Sequence, residues 1–267
     1  MGDGVAVDHH GLPEAVERQL DPVQRYGLRL TLFGVAILLV AIPFGLLLAQ
    51  VLTDGPATEW DAAVAERFHE AVAGRDGLVG ALEVLSFLGK PIWLTVVIGG
   101  PALLLLRRGR WHLALFLAVT AIGGGIVDAI VKVAVGRPRP VFDEPISSAR
   151  GNSFPSGHSM SATVCYGALL LAFGVILSPR GRQAARAATA ALVGGIAVSR
   201  LALGLHYVTD VVGGVVLGLA WLAASVAAWE IWRQDRGLAR TQPLEEGVEP
   251  ADVGVEETEP QPSSERV

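Results

Sequence analysis

The sequence predicts an all-α membrane protein: a six-transmembrane-helix bundle with an amphipathic surface helix between spans 1 and 2. Hydrophobic residues make up 51% of the 267 positions and charged residues 18%. The mean hydropathy of +0.47 is unusual for a soluble domain, whose surface must remain largely polar. Apolar runs close to the ~20 residues that cross a bilayer core recur along the chain. These observations favour a polytopic membrane protein.

Six apolar runs are the candidate spans, and together they define a membrane domain over residues 29–232. The first run follows a polar N-terminal segment, residues 1–28, which we expect to be cytoplasmic. It is longer than the apolar part of a signal peptide, so a retained helix is favoured over a cleaved leader. The second is the shortest and begins at Pro91. The runs cover residues 29–52, 91–106, 111–134, 156–177, 188–205 and 211–232.

Two further segments lie between or beyond the spans. Between the first two spans, every fourth residue is apolar at Trp60, Val64, Phe68 and Val72, which predicts an amphipathic helix. This helix can lie on the outer membrane surface or pack against the bundle. Residues 233–267 are acidic, rich in Pro and without apolar periodicity, which predicts a disordered, solvated cytoplasmic tail.

Cysteine content excludes an intrachain disulfide, and the net charge gives no indication of a nucleic-acid partner. The single cysteine, Cys165, cannot form an intrachain disulfide, and it lies in an apolar run, so we expect a small core residue. The formal net charge is −5, and the acidic excess is local rather than spread over the chain. This charge does not indicate a nucleic-acid partner, and we expect none.

The arginine distribution predicts the orientation of the bundle. Cytoplasmic loops of membrane proteins carry an excess of Lys and Arg. With six spans, four arginine clusters fall on one side, which we assign to the cytoplasm of a multi-pass plasma-membrane protein. Both termini are then cytoplasmic, and the 135–155 loop and the 206–210 turn face outward. The clusters are Arg18, Arg25 and Arg29; "RRGR" at 107–110; Arg180, Arg182 and Arg186; and Arg233, Arg236 and Arg240.

Polar residues from four predicted spans fall at one depth, near the outer face. Ionisable groups in membrane segments are costly and usually face a bundle interior or an aqueous cavity, so three clusters at one depth predict a site. A transporter, the reading from another class, would carry charges at several depths, whereas here only Asp128 lies deeper. The clusters are Lys132, Arg137 and Arg139; Ser156 and His158; and Arg200, His206 and Asp210.

The chemistry of these clusters suits phosphate. Lys132, Arg139 and Arg200 supply cations, and the ammonium and guanidinium groups match phosphate oxygens. In "GRPRP" the prolines end the helix, and the second proline pushes Arg139 into an extended conformation. In "PSGH", Pro155 suits a first helical turn whose N–H groups attract anions, and Gly157 lets an anion approach the backbone closely.

Two histidines and an aspartate complete the predicted chemistry. His206 and Asp210 are four residues apart, so the carboxylate can hold one ring nitrogen and leave the other as a nucleophile. His158 can protonate the leaving oxygen as a general acid. A zinc site is the alternative, but the nearby cations would repel a divalent ion, so we expect neither metal nor cofactor. Asp128, one turn before Lys132, is predicted to pair with that Lys or with a polar neighbour inside the bundle, in a structural role.

Taken together, three motifs resemble the signature of the type-2 phosphatidic acid phosphatases, the integral-membrane lipid phosphate phosphatases related in their site to vanadium haloperoxidases and bacterial acid phosphatases. The motifs are Lys132, six residues, then Arg139-Pro140; Pro155-Ser156-Gly157-His158; and Ser199-Arg200, five residues, His206, three residues, Asp210. Members of this family often carry Pro where this chain has Val208. The resemblance implies a six-helix membrane fold with a metal-independent phosphatase site on the outer face.

The resemblance also implies a role for each site residue. His206 would form a phosphohistidine, Asp210 would orient it, and His158 would protonate the leaving group. Phosphate binding would come from the side chains or backbone of Lys132, Arg139, Arg200, Ser156 and Gly157, with a weaker phosphate or phospholipid contact from Arg137.

The sequence therefore predicts hydrolysis of a lipid phosphomonoester or diphosphate presented from the outer leaflet. Candidate substrates are undecaprenyl diphosphate, phosphatidylglycerol phosphate, phosphatidic acid and diacylglycerol pyrophosphate. Headgroup recognition is expected from residues 53–90 and 141–154. Transfer of a phosphoryl or phospho-headgroup to an alcohol is the alternative, because the same phosphohistidine can serve both reactions.

Overall fold

The structure, a computed structural model, describes residues 42–236, 241, 243 and 247–248. These residues form eight α-helices and a short 3₁₀ helix, Gly174–Ile176, and include no β-strand, which confirms the all-α prediction for them. The helices are α1 (Ile42–Leu52), α2 (Pro56–Val72), α3 (Asp76–Phe87), α4 (Pro91–Arg107), α5 (Trp111–Val135), α6 (Gly157–Phe173), α7 (Pro179–Ala202) and α8 (Val208–Asp235).

Four of these helices are long and apolar enough to cross a membrane: α5, α6 with its 3₁₀ extension, α7 and α8. Helices α3 and α4 are bent by 44° at a short break and together are long enough for one broken span. Helix α1 is the end of the first predicted span, of which residues 29–41 lie outside the described part. The described residues therefore provide four or five candidate spans, and the sixth stays a prediction.

Helix α7 both starts and ends earlier than its predicted span. It begins at Pro179, where the Ser178 hydroxyl accepts a hydrogen bond of 3.1 Å from the Gly181 N–H. The arginine-rich segment predicted as a loop is therefore part of the helix. The helix ends at Ala202, because Gly204 has a φ of +71°, a left-handed conformation that glycine adopts without a steric penalty.

Helix α6 is the centre of the bundle. It packs against α4, α5, α7 and α8, and it is the most deeply buried of the spanning helices. It approaches α8 closely, because Gly214 and Gly218 lie one turn apart on the facing side; a Cβ at Gly218 would lie 2.9 Å from Thr163 Cβ. Helices α4 and α5 expose large apolar side chains, as a lipid-facing surface requires. These are Ile92, Val96, Leu103, Leu104, Leu106, Leu115, Val119, Ile122, Ile126, Ile130 and Val133.

The amphipathic helix predicted after the first span is α2, and it packs on α7 and α8. Its buried residues are Asp61, Ala65 and Val72, whereas Trp60, part of the predicted apolar stripe, is 73% exposed. The contact face is rotated from the predicted one because Asp61 is buried by its hydrogen bonds, which apolar periodicity does not register. Packing against the bundle is thus the correct alternative.

Of the segment predicted as a disordered tail, residues 233–267, the structure describes residues 233–236, 241, 243 and 247–248, and two parts of these are structured. Helix α8 continues to Asp235, and Val248 is fully buried against the bundle. The Val248 N–H donates to the Leu171 carbonyl at 3.1 Å, and the Trp229 indole donates to the Val248 carbonyl at 2.9 Å. An apolar side chain whose backbone groups are both paired can dock in this way without a polar penalty. Cys165 is buried in the core, as expected.

Candidate active site

The predicted site residues meet at one end of the bundle. The last turns of α5 and α7 and the first turns of α6 and α8 share this end, because the helices alternate in direction along the chain. The loop of residues 136–156 crosses it, and side chains of α2 and α3 reach into it. The structure thereby brings together Lys132, Arg137, Arg139, Ser156, Gly157, His158, Arg200, His206 and Asp210.

His206 and Asp210 form the predicted pair. His206 lies in the short connection between α7 and α8 and is 1% exposed, and Asp210 is completely buried in the first turn of α8. The His206 Nδ1 is 3.4 Å from the Asp210 Oδ2. The Tyr207 N–H donates to the same oxygen at 2.9 Å, and the helix N-terminus favours a negative charge there. The carboxylate is therefore fixed against one nitrogen of the ring.

Every side-chain partner of Asp210 can donate a hydrogen bond. The Ser153 hydroxyl donates to Oδ2 and lies 3.4 Å from His206 Nδ1. Arg137 donates through Nη1 to Oδ1 at 2.6 Å. An ionised carboxylate accepts only and the Arg139 guanidinium, 3.0 Å from Nε2, donates only, so the tautomer that fits these contacts carries its proton on Nδ1 and has a free lone pair on Nε2.

Arg139 faces the other side of the His206 ring. Its Nη1 is 3.0 Å from His206 Nε2 and donates to the Leu205 carbonyl at 2.6 Å. Its Nε donates to the Gly151 carbonyl at 3.0 Å and its Nη2 to the Asn152 carbonyl at 3.2 Å. With a longer hydrogen bond of 3.5 Å from Nη2 to the Arg150 carbonyl, four backbone carbonyls hold the guanidinium next to the nitrogen that would act as nucleophile.

The surroundings keep the His206 ring neutral. Burial lowers the pKa of His206 to about 4, against the opposing attraction of Asp210, and the nearby Arg200 and Arg139 lower it further. Burial also lowers the pKa of Arg139 while Asp210 raises it, and a guanidinium remains charged throughout the physiological range. At neutral pH the site therefore combines an uncharged imidazole with charged guanidinium groups.

Arg200 and His158 each hold a buried nitrogen that has no hydrogen-bond partner in the described part of the chain. Arg200 is 5% exposed, and its Nη1 donates to the hydroxyl of Ser86 on α3 at 2.8 Å. Among the described residues, neither the Arg200 Nε nor the His158 Nε2 has a hydrogen-bond partner. A buried polar atom costs free energy unless it is paired, so these two nitrogens mark a place for a hydrogen-bonding ligand.

Lys132 and Gly157 meet at the start of α6. The Lys132 ammonium donates to Asp128 Oδ1 at 2.8 Å and to the Pro155 carbonyl, so the predicted Asp128–Lys132 pairing is confirmed. A Cβ at Gly157 would lie 2.8 Å from Asp128 Oδ2 and 3.2 Å from Lys132 Nζ, which explains the glycine. Ser156 is completely buried, and its N–H donates to the Asp210 carbonyl at 2.8 Å. This hydrogen bond ties the start of α6 to the start of α8.

Arg137 contacts carboxylates, whereas a phosphate contact was predicted for it. Its guanidinium lies between two buried carboxylates, with Nη2 at 2.8 Å from Asp61 Oδ2 and Nη1 at 2.6 Å from Asp210 Oδ1. Its Cζ lies 4.2 Å from the centroid of the Tyr207 ring. The side chain therefore faces the Asp210 side of the site, away from the unprotonated nitrogen of His206.

Sequence reasoning missed three residues of the site. Asp61, Ser86 and Ser153 contact Arg137, Arg200 and Asp210, respectively. Asp61 and Ser86 lie outside the motifs. The only sequence signal is the charge of Asp61 within an amphipathic helix whose neighbouring positions are largely apolar. Ser153 lies two residues before Pro155, the first residue of the second motif, and this proximity is its sequence signal.

A cavity of about 540 Å³ lies beside the site, between α2 and the loop after Arg139. Tyr207 and Pro140, which directly follow His206 and Arg139, are part of its wall. The polar lining is acidic, and the His69 and Phe142 rings stack with centroids 4.1 Å apart. Within the described part of the chain, no group of three or more His, Cys, Asp or Glu side chains is placed to hold a metal ion. The acidic residues of the lining are Glu66, Asp143 and Glu144.

Comparisons with a family model, with curated proteins and with solved structures agree on one family. Residues 112–234 match the PAP2 superfamily. The chain is 31% identical to decaprenylphosphoryl-5-phosphoribose phosphatase of Mycobacterium tuberculosis, over 61% of this chain and 86% of that protein. It is 37% identical to phosphatidylglycerophosphatase B of Bacillus subtilis, over 47% of this chain and 61% of that protein. The crystal structure of a transmembrane PAP2-type phosphatidylglycerolphosphate phosphatase from Bacillus subtilis superposes with a TM-score of 0.64, at 24% identity, over 77% of this chain and 98% of the other.

Proposed function

The chain belongs to the PAP2 superfamily and is a phosphoric ester hydrolase, and from this premise we propose that it hydrolyses a lipid phosphomonoester or diphosphate through a phosphohistidine, without a metal ion. One observation carries the proposal. The His206 Nε2 lies 3.0 Å from the Arg139 guanidinium, and its Nδ1 lies 3.4 Å from Asp210 Oδ2. A neutral imidazole oriented by a carboxylate and adjoining a fixed cation is the arrangement that nucleophilic attack on phosphorus requires.

In the first step, the lone pair of His206 Nε2 attacks phosphorus in line with the leaving oxygen. The bond between phosphorus and that oxygen breaks, and His158 donates a proton to the departing group. Asp210 stabilises the positive charge that develops on the ring. Arg139 and Arg200 neutralise the equatorial oxygens, and the buried Nε of Arg200, which has no partner among the described residues, supports this role.

In the second step, a water molecule replaces the lipid. His158, now unprotonated, accepts a proton from the water, whose oxygen attacks phosphorus. The bond between phosphorus and Nε2 breaks, which releases inorganic phosphate and restores neutral His206. Lys132 and the backbone at Gly157 complete the anion site, supported by the position of the Lys132 ammonium at the N-terminus of α6, where it donates to the Pro155 carbonyl.

The lipid is proposed to enter from the outer leaflet of the plasma membrane, with both termini cytoplasmic. The arginine clusters support this orientation. Labelling of Ser147→Cys with a membrane-impermeant maleimide tests it, since Ser147 lies in the loop at the site end and the native Cys165 is buried. Reaction with intact cells is expected, and reaction only after the cells are opened would overturn the orientation.

The headgroup is proposed to be polyhydroxylated. Relatives that this chain matches are named for decaprenylphosphoryl-5-phosphoribose, a prenyl lipid with a sugar phosphate. The cavity beside Tyr207 supports such a group, because carboxylates accept hydrogen bonds from hydroxyls and repel a second phosphate. We expect kcat/KM to be higher for a prenyl sugar phosphate than for undecaprenyl diphosphate, phosphatidylglycerol phosphate or phosphatidic acid.

The chemistry is tested with purified protein in detergent micelles. Wild-type protein is expected to release inorganic phosphate from at least one lipid phosphate, in the presence of EDTA, and to be inhibited by vanadate.

His206→Ala should release none, while His112→Ala, at the opposite end of α5, should retain activity. Near wild-type turnover by His206→Ala would refute the nucleophile, and EDTA inhibition reversed by Zn²⁺ or Mg²⁺ would refute a metal-independent site. Phosphate found on an added alcohol instead would indicate transfer.

A further inference from the structure

Arg137 connects the carboxylate that orients His206 to a second buried carboxylate. Its side chain is 9% exposed, and its two terminal nitrogens point in different directions, Nη1 to Asp210 and Nη2 to Asp61. Burial opposes the charge, yet Asp210 and Asp61 raise the pKa of Arg137 above its ordinary value. The guanidinium thus bridges the two carboxylates as a permanent cation.

Asp61 is buried and held by hydrogen bonds, as Arg137 is. It is 1% exposed and belongs to α2, which lies outside the three motifs of the site. It accepts hydrogen bonds from the Thr209 N–H at 3.0 Å and from the Thr209 hydroxyl. Because Thr209 directly precedes Asp210, the carboxylate of Asp61 holds both the backbone of the first turn of α8 and the guanidinium that contacts Asp210.

We infer that Arg137 and Asp61 are positioning residues for the reaction: Arg137 holds Oδ1 of Asp210 so that Oδ2 stays against His206, and Asp61 holds Arg137. The inference rests on the proposed function, because it assigns a role within the same site. It differs from a phosphate contact by Arg137, since the bridge lies on the Nδ1 side of the imidazole and phosphorus would be attacked from the Nε2 side.

The bridge also balances charge. Without Arg137, Asp210 would attract a proton to His206 more strongly, and a protonated ring has no lone pair for attack. Without Asp61, the positive charge on Arg137 would be less compensated, and it would make protonation of His206 less favourable. The two substitutions are therefore expected to move the titration of His206 in opposite senses.

Other charged and titratable groups around His206 are kept in this comparison. None of them is substituted in the single or double variants, so opposite shifts in the titration of His206 report the loss of one or the other charge of the bridge. These groups are Asp210 on α8, Arg200 on α7, His158 on α6, Arg139 in the loop and, next to Asp210, Lys132 on α5.

The experiment compares Asp61→Asn, Arg137→Gln and the double variant in the full-length protein. Glu70→Gln and Arg67→Gln are matched controls, because they remove one charge of the same sign from the exposed side of α2. Measured quantities are kcat and KM for a lipid phosphate, the inhibition constant of vanadate, and the titration of His206 by ¹⁵N-histidine NMR.

Each single variant should lose about 10- to 100-fold in kcat, by analogy with the range for outer partners of metal-ligating histidines, with KM and vanadate inhibition little changed. The double variant should lose less than the product of the two single losses, because Asp61 acts partly through Arg137 and partly through Thr209. His206 should titrate at higher pH in Arg137→Gln and at lower pH in Asp61→Asn, while the controls match wild type.

Two results would overturn the inference. Weaker vanadate inhibition in Arg137→Gln with an unmoved His206 titration would make Arg137 a phosphate ligand, and additive losses in the double variant would separate Asp61 from Arg137. If Asp61→Asn does not fold, Arg137→Lys replaces it: the charge stays but the fork is lost, so kcat should fall with the titration unmoved. Wild-type protein that cleaves no lipid phosphate refutes the proposed function instead, and the NMR titration, which needs no substrate, still tests the bridge.

Discussion

Replacing Asp210 with Asn removes one charge from the centre of the site while keeping its shape. Around this buried carboxylate stand the Tyr207 N–H at 2.9 Å, the Arg137 guanidinium at 2.6 Å, the Ser153 hydroxyl and the His206 ring. An amide has one oxygen and one NH₂ group. Whichever way it is turned, its NH₂ group faces a donor, because both positions are now occupied by acceptor oxygens.

Both stability and catalysis should suffer, by different amounts. Loss of a hydrogen bond to a charged group costs about 1.5–3 kcal/mol, so the free energy of unfolding should fall by roughly that much. The amide can also turn the His206 ring to the other tautomer, with the proton on Nε2. In the serine-protease triad, the corresponding wrong tautomer lowers kcat about 10⁴-fold, which is about 5.5 kcal/mol of activation free energy.

The assay is phosphate release under saturating lipid phosphate, with folding followed in parallel by thermal unfolding in the same detergent. Asp76→Asn is the matched control, because Asp76 is exposed in the first turn of α3. This control should keep its kcat. If Asp210→Asn stays folded and retains a kcat within tenfold of wild type, the orienting role of Asp210 is refuted.

Two further predictions concern the titration of His206 and the turn before it. Because the pKa of His206 is about 4 when folded and near 6.5 in an unfolded chain, the unfolded state binds more protons below pH 6.5. His206 should therefore titrate near pH 4 by NMR, and its contribution to stability, complete above pH 6.5, should be lost as the pH falls towards 4; titration near 6.5 would contradict the burial. Gly204→Ala places a Cβ 2.9 Å from Phe142 Cε2 at a φ of +71° and should lower the free energy of unfolding by about 1–2 kcal/mol, measured by thermal unfolding. Gly99→Ala, in a helix with open space around it, should not destabilise, and equal effects at both positions would refute the strain argument.

Much of the site was predictable because its residues follow simple spacing rules. The four-residue separation of His206 and Asp210 predicts their contact, and the alternation of apolar spans predicts that Lys132 and Arg139 meet them at one end of the bundle. The same rules misplaced the buried face of α2. Hydrophobic periodicity registers apolar side chains, whereas Asp61 is buried by hydrogen bonds to groups that are distant in sequence.

The sequence by itself determined that this is a helical membrane protein and which motif residues share its polar end. Run length and residue spacing decide both properties, because a bilayer needs long apolar helices and consecutive spans alternate in direction. Only the tertiary structure decided what those residues contact. It turned Arg137 from an expected phosphate contact into a bridge between Asp61 and Asp210, since the direction of a hydrogen bond depends on how distant segments pack, and no local pattern records it.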